Sequence, residues 1–304
     1  MEKVIVTGAN GFIGSAVVRE LIYHNINVTA ICRNLCDNIV ANENLNIRKF
    51  SLENIVDLEQ EIINERYDTF YHFAWAGSAG STRTNTELQL KNAQWTIDCL
   101  RLAKKLGCRR FVCAGSIMEI ETIAAAYAQE NKPGLGYIYG SGKLVAHTMA
   151  KCVAADIGIE LLWAEITNAY GEGEVSPRFV NTTIRKIINN EPLQFTAATQ
   201  NYDFVHISDV ARAFYLIGKN GKPFCNYLIG SSTARPLKEF ITELRNAIAP
   251  EKELFFGDIP FTGINLSLDK FDTSKTEKDT GFKAEVTFYE GVRRTRDWLV
   301  KEVK

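Results

Sequence analysis

Along the first half of the chain, short apolar runs alternate with stretches whose apolar residues recur at helical spacing. The runs fall at 3–7, 27–32, 47–50, 69–73, 109–114 and 159–166 and are rich in Val, Ile and Phe. Between them the spacing predicts helices over about 12–24, 54–65, 84–106 and 137–157. Strands without polar alternation are buried on both faces, and helix-length connections favour parallel pairing. The pattern predicts an α/β fold on a doubly wound parallel sheet, with ligands at the carboxyl ends of the strands.

The first strand runs directly into Gly8-Ala9-Asn10-Gly11-Phe12-Ile13-Gly14, followed by a helical pattern from Ser15. A strand, a glycine-rich turn and a helix start make a dinucleotide cradle of Rossmann type. Glycines let the backbone approach a pyrophosphate, and the helix end offers unpaired N–H groups and the positive end of its dipole. Gly8, Asn10, Gly11, Phe12, Ile13 and Gly14 are therefore candidate cofactor contacts.

The second half is less regular. It predicts helices near 176–190, 208–218, 236–248 and 288–303, strands near 204–207 and 225–229, and a Gly-, Asp-, Thr- and Lys-rich segment at 257–283 with only short elements. No repeat or linker divides it. We expect 1–168 to form the dinucleotide-binding domain, with 203–229 returning to it. Residues 169–202 and 230–304 are expected to form a smaller substrate-binding lobe.

Composition narrows the class. The 304 residues are 46% hydrophobic and 23% charged, enough for a large core. Lys plus Arg number 35 against 36 Asp plus Glu, so nothing points to nucleic acid or a membrane surface as partner. Seven scattered cysteines without a C-x-x-C pair read as reduced thiols, not as disulfides or a metal site. With no apolar stretch of membrane-spanning length, the chain reads as cytoplasmic.

Tyr139 and Lys143 form Y-x-x-x-K, which on a helix puts both side chains on one face. An ammonium beside a phenol favours the phenolate and suits it to proton transfer. Ser116 lies just past the run at 109–114, where its hydroxyl could meet a substrate carbonyl.

With these residues the chain resembles the extended branch of the short-chain dehydrogenase/reductase family, which includes nucleotide-sugar epimerases, dehydratases and 4-keto reductases. Thr7–Gly14 is similar to its cofactor loop, and Tyr71-His72-Phe73-Ala74-Trp75-Ala76 to its H-x-A-x segment. Phe111–Ser116 resembles the strand bearing the catalytic hydroxyl. Asn168-Ala169-Tyr170-Gly171 resembles the turn whose asparagine holds the sugar nucleotide's phosphate, and Tyr202–Val210 matches the R-D-F-x-H-V-x-D block. The resemblance implies Ser116, Tyr139 and Lys143 as catalytic residues. It adds Leu52, Ala74, Ala76 and Ile166 to the cofactor contacts, together with Tyr139 and Lys143. Trp75, Ser78 and Asn168 fall on the substrate side. It also implies a homodimer through the helices near 84–106 and 137–157.

The departures carry as much information. Dehydratases of this family have an Asp-Glu pair directly after the catalytic hydroxyl; Ile117-Met118 stands there, and Glu119 comes one position late. Tyr202 replaces an arginine that pairs with the pyrophosphate, and Glu165 stands where arginine is common. Arg178 and Arg235 are the expected substitutes. The second strand ends in Cys32-Arg33 without the carboxylate that takes the ribose hydroxyls of NAD, and the planar fork of Arg33 suits a 2′-phosphate. NADP(H) is thus favoured, with NAD(H) as the alternative. His72 and His206 read as buried structural residues, and no grouping has metal spacing. The resemblance then implies an NADPH-dependent reductase of a nucleotide-linked 4-keto-6-deoxy sugar. A nucleotide-sugar 4-epimerase with the same three groups is the alternative, and a non-catalytic cofactor-sensing protein a lesser one.

Overall fold

The computed structural model describes residues 1–34, 42–62 and 65–302. Chain order begins with β1 (Lys3–Thr7), α1 (Phe12–Tyr23), β2 (Asn27–Cys32), β3 (Leu45–Lys49), α2 (Leu58–Ile62) and β4 (Thr69–His72). It continues through α3 (Thr86–Lys105), β5 (Arg110–Ser116), α4 (Met118–Tyr127), α5 (Tyr137–Ile157) and β6 (Glu160–Ile166). Then come β7 (Asn168–Tyr170), α6 (Phe179–Ile188), β8 (Asn201–Tyr202), β9 (Phe204–His206) and α7 (Ile207–Asn220). The last elements are β10 (Asn226–Ile229), β11 (Arg235–Pro236), α8 (Leu237–Ile248), α9 (Ser274–Thr280) and α10 (Phe288–Glu302).

Seven parallel strands form one sheet in the order β10-β6-β5-β4-β1-β2-β3. The order reverses at β1 and β4, so their carboxyl ends open the crevice in which such sheets bind ligands. One face is covered by α1 and α7 over Val6, Val17, Leu21 and Phe214. The other is covered by α3 and α5, packed on each other over Ile97, Leu100, Ala146 and Ala150. Alanines at 146, 150 and 154 are spaced one turn apart, which lets α5 lie close to the sheet. A third cluster, Tyr170, Ile184, Phe204, Phe240 and Phe288 among it, unites α6, α8 and α10 beside the sheet.

The predicted strands and long helices appear within a few residues of their expected ends. Two differences have physical causes. The segment at 54–65 is a 3₁₀ turn over Leu52–Asp57 that breaks at Asn54 and continues as the short α2. Helix α4 was not expected, because its apolar residues (Ile120, Ile123, Ala124) lack a clear stripe and its start has no side-chain cap. Cys99 of α3, Cys108, and Cys113 of β5 are buried in the core between the sheet and the α3–α5 layer; Cys36 lies outside the described residues.

Candidate active site

The cradle is built from steric demands that glycine alone meets. Gly8 has φ +66°, and a Cβ there would stand 2.6 Å from the Ala74 nitrogen, so the loop after β1 presses on the start of the loop after β4. A Cβ at Gly14 would overlap the Gly8 carbonyl oxygen, which is what lets α1 begin directly over the strand end. Gly11 caps α1 without a side-chain hydrogen bond, and no acidic residue lies in the first turn. The helix start thus offers its amides and its positive end to an anion, which fits the diphosphate of a dinucleotide. Asn10 donates from Nδ2 to the Asn34 carbonyl at 2.8 Å, beside exposed Arg33 at the end of β2. Ile166 is buried at the end of β6, paired with Ser116, and Leu52 packs partly buried under the α3 face.

The three candidate reacting groups converge at this edge, and all are buried: Ser116 ends β5, and Tyr139 and Lys143 stand on the first two turns of α5. Ser116 Oγ accepts the Met118 N–H at 3.2 Å, which leaves its hydrogen to donate outward. Lys143 Nζ donates to the Ala114 carbonyl at 2.8 Å and sits 3.7 Å from the centre of the Trp75 ring. Trp75 meets Tyr139 edge to face at 6.1 Å. Gly142 lets α5 approach Gln89 of α3, where a Cβ would come 2.8 Å from the Gln89 Cβ and 3.1 Å from its carbonyl oxygen.

The loop after β4 is held by side chains of α3. Asn92 accepts the Ala76 N–H and donates to its carbonyl, both at 2.8 Å. Gln89 accepts the Trp75 indole N–H at 2.8 Å and donates to the Gly77 carbonyl at 3.0 Å. The loop ends in Arg83, whose guanidinium lies 4.3 Å from the centre of the Tyr139 ring and donates to the Ser78 carbonyl at 3.3 Å. Arg83, Arg178 and Asn168 share a cavity of about 260 Å³ with Ala79, Gly80 and Pro177. Asn168 donates from Nδ2 to the Asp203 carbonyl at 3.0 Å, and Arg178 pairs with Glu174 at 2.9 Å.

Of the arginines expected from the sequence, the structure brings Arg178 to this cavity and not Arg235. Arg235 is bound to Glu243, stacks on Phe240 at 4.1 Å, and lines a separate groove of about 710 Å³ along α8. The arginine that sequence reasoning missed is Arg83. It belongs to no motif, and only the stacking on Tyr139 marks it. Glu121 was missed with its helix; burial pushes its carboxyl up to about 7, with Arg83 as the cation nearby.

The remaining polar groups are structural. His72 is buried between Thr7 Oγ1 (2.8 Å) and Thr96 Oγ1 (3.2 Å), and burial pushes its ring down to about 3. His206 bonds to Ser208 Oγ at 2.8 Å and lies 2.9 Å from Glu172. At Glu165, burial and then neighbouring Glu119 push the carboxyl up to about 8. Among the described residues, no helix is long and apolar enough to cross a membrane.

Comparison with known proteins bears on the family and the fold. A model of the NAD dependent epimerase/dehydratase family matches residues 4–230. UDP-glucuronic acid decarboxylase 1 of Arabidopsis thaliana is 27% identical over 96% of the chain and 68% of its own length. The dTDP-4-dehydro-6-deoxyglucose reductase of Escherichia coli is 23% identical over 99% of the chain and 97% of its own length. Among solved structures, the UDP-glucose 4-epimerase of Thermotoga maritima with UDP-glucose superposes with a TM-score of 0.84 at 20% identity, covering 99% and 100% of the two chains.

Proposed function

Because the chain belongs to the NAD-dependent epimerase/dehydratase family, we propose that it reduces a nucleotide-linked 4-keto-6-deoxy sugar to the 4-hydroxy sugar with NADPH. The observation that carries this reading is the fate of the carboxylate after Ser116. Ile117 and Met118 occupy the two positions that elimination chemistry needs, and Glu119 is turned inward, 1% exposed and hydrogen-bonded to the protein. With no acid and base ready to expel water, a 4-keto-6-deoxy sugar is the substrate and not the product.

When bound, the reduced nicotinamide supplies the hydride that reaches the keto carbon. Tyr139 donates its proton to the carbonyl oxygen as that bond forms, and Ser116 donates a hydrogen bond to the same oxygen. The Lys143 ammonium, held by the Ala114 carbonyl, stabilises the phenolate left behind. Gly8, Asn10, Gly11, Phe12, Ile13 and Gly14 hold the diphosphate of the cofactor, and Ala74, Ala76, Leu52 and Ile166 line its path. Arg33 takes the 2′-phosphate. On the substrate side, Asn168, Arg178 and Arg83 hold the sugar nucleotide's diphosphate, and Trp75 and Ser78 face the sugar. Leu90 and Met149 expose apolar side chains on α3 and α5, and we assign these helices to a homodimer interface, to be checked by size-exclusion chromatography with light scattering.

The test is a panel of nucleotide sugars and their 4-keto-6-deoxy derivatives. NADPH absorbance should fall in proportion to the 4-hydroxy product formed. Conversion of an unoxidised nucleotide hexose to its epimer, with catalytic cofactor and no net absorbance change, would replace reduction by epimerisation. Tyr139→Phe should lower turnover by about 10²–10⁴ with cofactor affinity retained.

A further inference from the structure

Behind Ser116 lies a buried polar cluster that the reaction above does not use. Glu119, on the first turn of α4, accepts the Ser116 N–H through Oε1 at 2.9 Å. Its Oε2 faces His147 Nδ1 at 2.9 Å, and the Trp163 indole N–H lies 3.1 Å from both oxygens. His147 stacks flat on Trp163, centroids 4.4 Å apart and planes within 6°, and its Nε2 meets Asn226 Oδ1 at 3.2 Å. Gly115 makes room for this, since a Cβ there would overlap the Trp163 nitrogen and crowd Glu119 Oε1.

Glu119, His147 and Glu165 have ligand atoms within 4.8 Å of one another, which invites a metal. Both ring nitrogens of His147 and both oxygens of Glu119 already have protein partners, so the cluster is closed. What it joins is more informative. Ser116 ends β5, whereas His147 sits one turn beyond Lys143 and two beyond Tyr139, on the same side of α5. We propose that Glu119 and His147 are positioning residues: braced against α5, their hydrogen-bonded strut holds the Ser116 N–H and so sets the Ser116 hydroxyl relative to Tyr139 and Lys143. This rests on Ser116 and Tyr139 acting together as proposed above.

A strut of this kind acts on turnover through Ser116, because misplacement of a reacting group by about 1 Å can cost about 10²-fold. The experiment is a double-mutant cycle on the full chain, with kcat, KM and NADPH affinity measured for each variant. Glu119→Ala should lower kcat by about 10–100-fold while KM and NADPH affinity stay within about threefold of the parent. In a Ser116→Ala background the same change should cost less than about threefold, since there is no hydroxyl left to misplace. Glu119→Gln keeps an oxygen for the Ser116 and Trp163 N–H groups and should restore most of kcat.

Equal losses from Glu119→Ala in both backgrounds would overturn the strut while leaving Ser116 in its role. An unchanged kcat in Ser116→Ala would instead remove Ser116 from the reaction and take the strut with it. Should Glu119→Ala not fold, His147→Gln runs through the same cycle, where a loss confined to the Ser116 background supports the strut and equal losses overturn it.

Discussion

The loops after β1 and β4 leave neighbouring strands, press together at Gly8 and Ala74, and each lead into a helix. The first is shaped by backbone alone: three glycines, a positive φ and an uncapped helix start. The second is shaped by side chains reaching up from α3, with Asn92 and Gln89 pinning its carbonyls and amides and Arg83 closing it over Tyr139. A backbone-shaped loop recognises a group shared by many ligands, here a diphosphate. A loop pinned by side chains can be re-cut residue by residue, and it is where selectivity for one sugar can reside.

If that division holds, changes in the two loops should separate cofactor binding from sugar binding. The largest effect is expected for Gly14→Ala, whose Cβ must displace the Gly8 carbonyl. Cofactor binding by calorimetry should weaken by more than about 100-fold, the scale of a 1 Å shift of a binding backbone. Next is Arg33→Ala, which should weaken NADPH by about 1.5–3 kcal/mol and leave NADH nearly unchanged. Equal losses for both would show that Arg33 does not read the 2′-phosphate. Arg83→Ala should raise KM for the sugar nucleotide by about tenfold with cofactor affinity intact, and a matching loss of cofactor affinity would erase the contrast between the loops.

The smallest effect lies outside both loops and serves as their control. The folded chain holds a proton on Glu165 up to about pH 8, whereas an exposed carboxyl releases it near its ordinary value of 4.5. The Glu165 contribution to stability is therefore present below about pH 4.5 and lost as pH rises toward 8. Glu165→Gln should flatten this slope in denaturant titrations at successive pH values. A slope equal to that of the parent chain would mean Glu165 ionises freely in the folded state.

How much of this was legible beforehand follows the same contrast. Strand–glycine–helix punctuation is local, so the cradle, the parallel sheet and the Tyr139–Lys143 face of α5 could be read directly. Arg83 could not, because its partner ring lies 56 positions away and the contact exists only once α3 and α5 pack. Arg235 misled for the complementary reason. A proline beside it marked an element start, but β11 pairs with β8 and turns the side chain toward Glu243. Glu119 was legible as a displaced carboxylate, whereas its partners came from three other elements, β5, α5 and β6, and from the room left by Gly115.

Asp203 has a consequence for how the molecule opens. Its buried carboxylate accepts the Thr167 hydroxyl, at the end of the sheet, and the Ser231 hydroxyl and N–H, where the chain leaves β10, the N–H at 2.8 Å. Its own carbonyl holds Asn168. Desolvation raises the carboxyl of Asp203, and these donors oppose that shift by favouring its charged form. Asp203 adjoins Phe204 of the third cluster while Thr167 follows β6 of the sheet, so peeling that cluster away while the sheet stays intact would break this set of hydrogen bonds. The two parts are thereby fastened into one cooperative unit, and the Ser231 amide should exchange its hydrogen with solvent at the rate of global unfolding and not of local fraying.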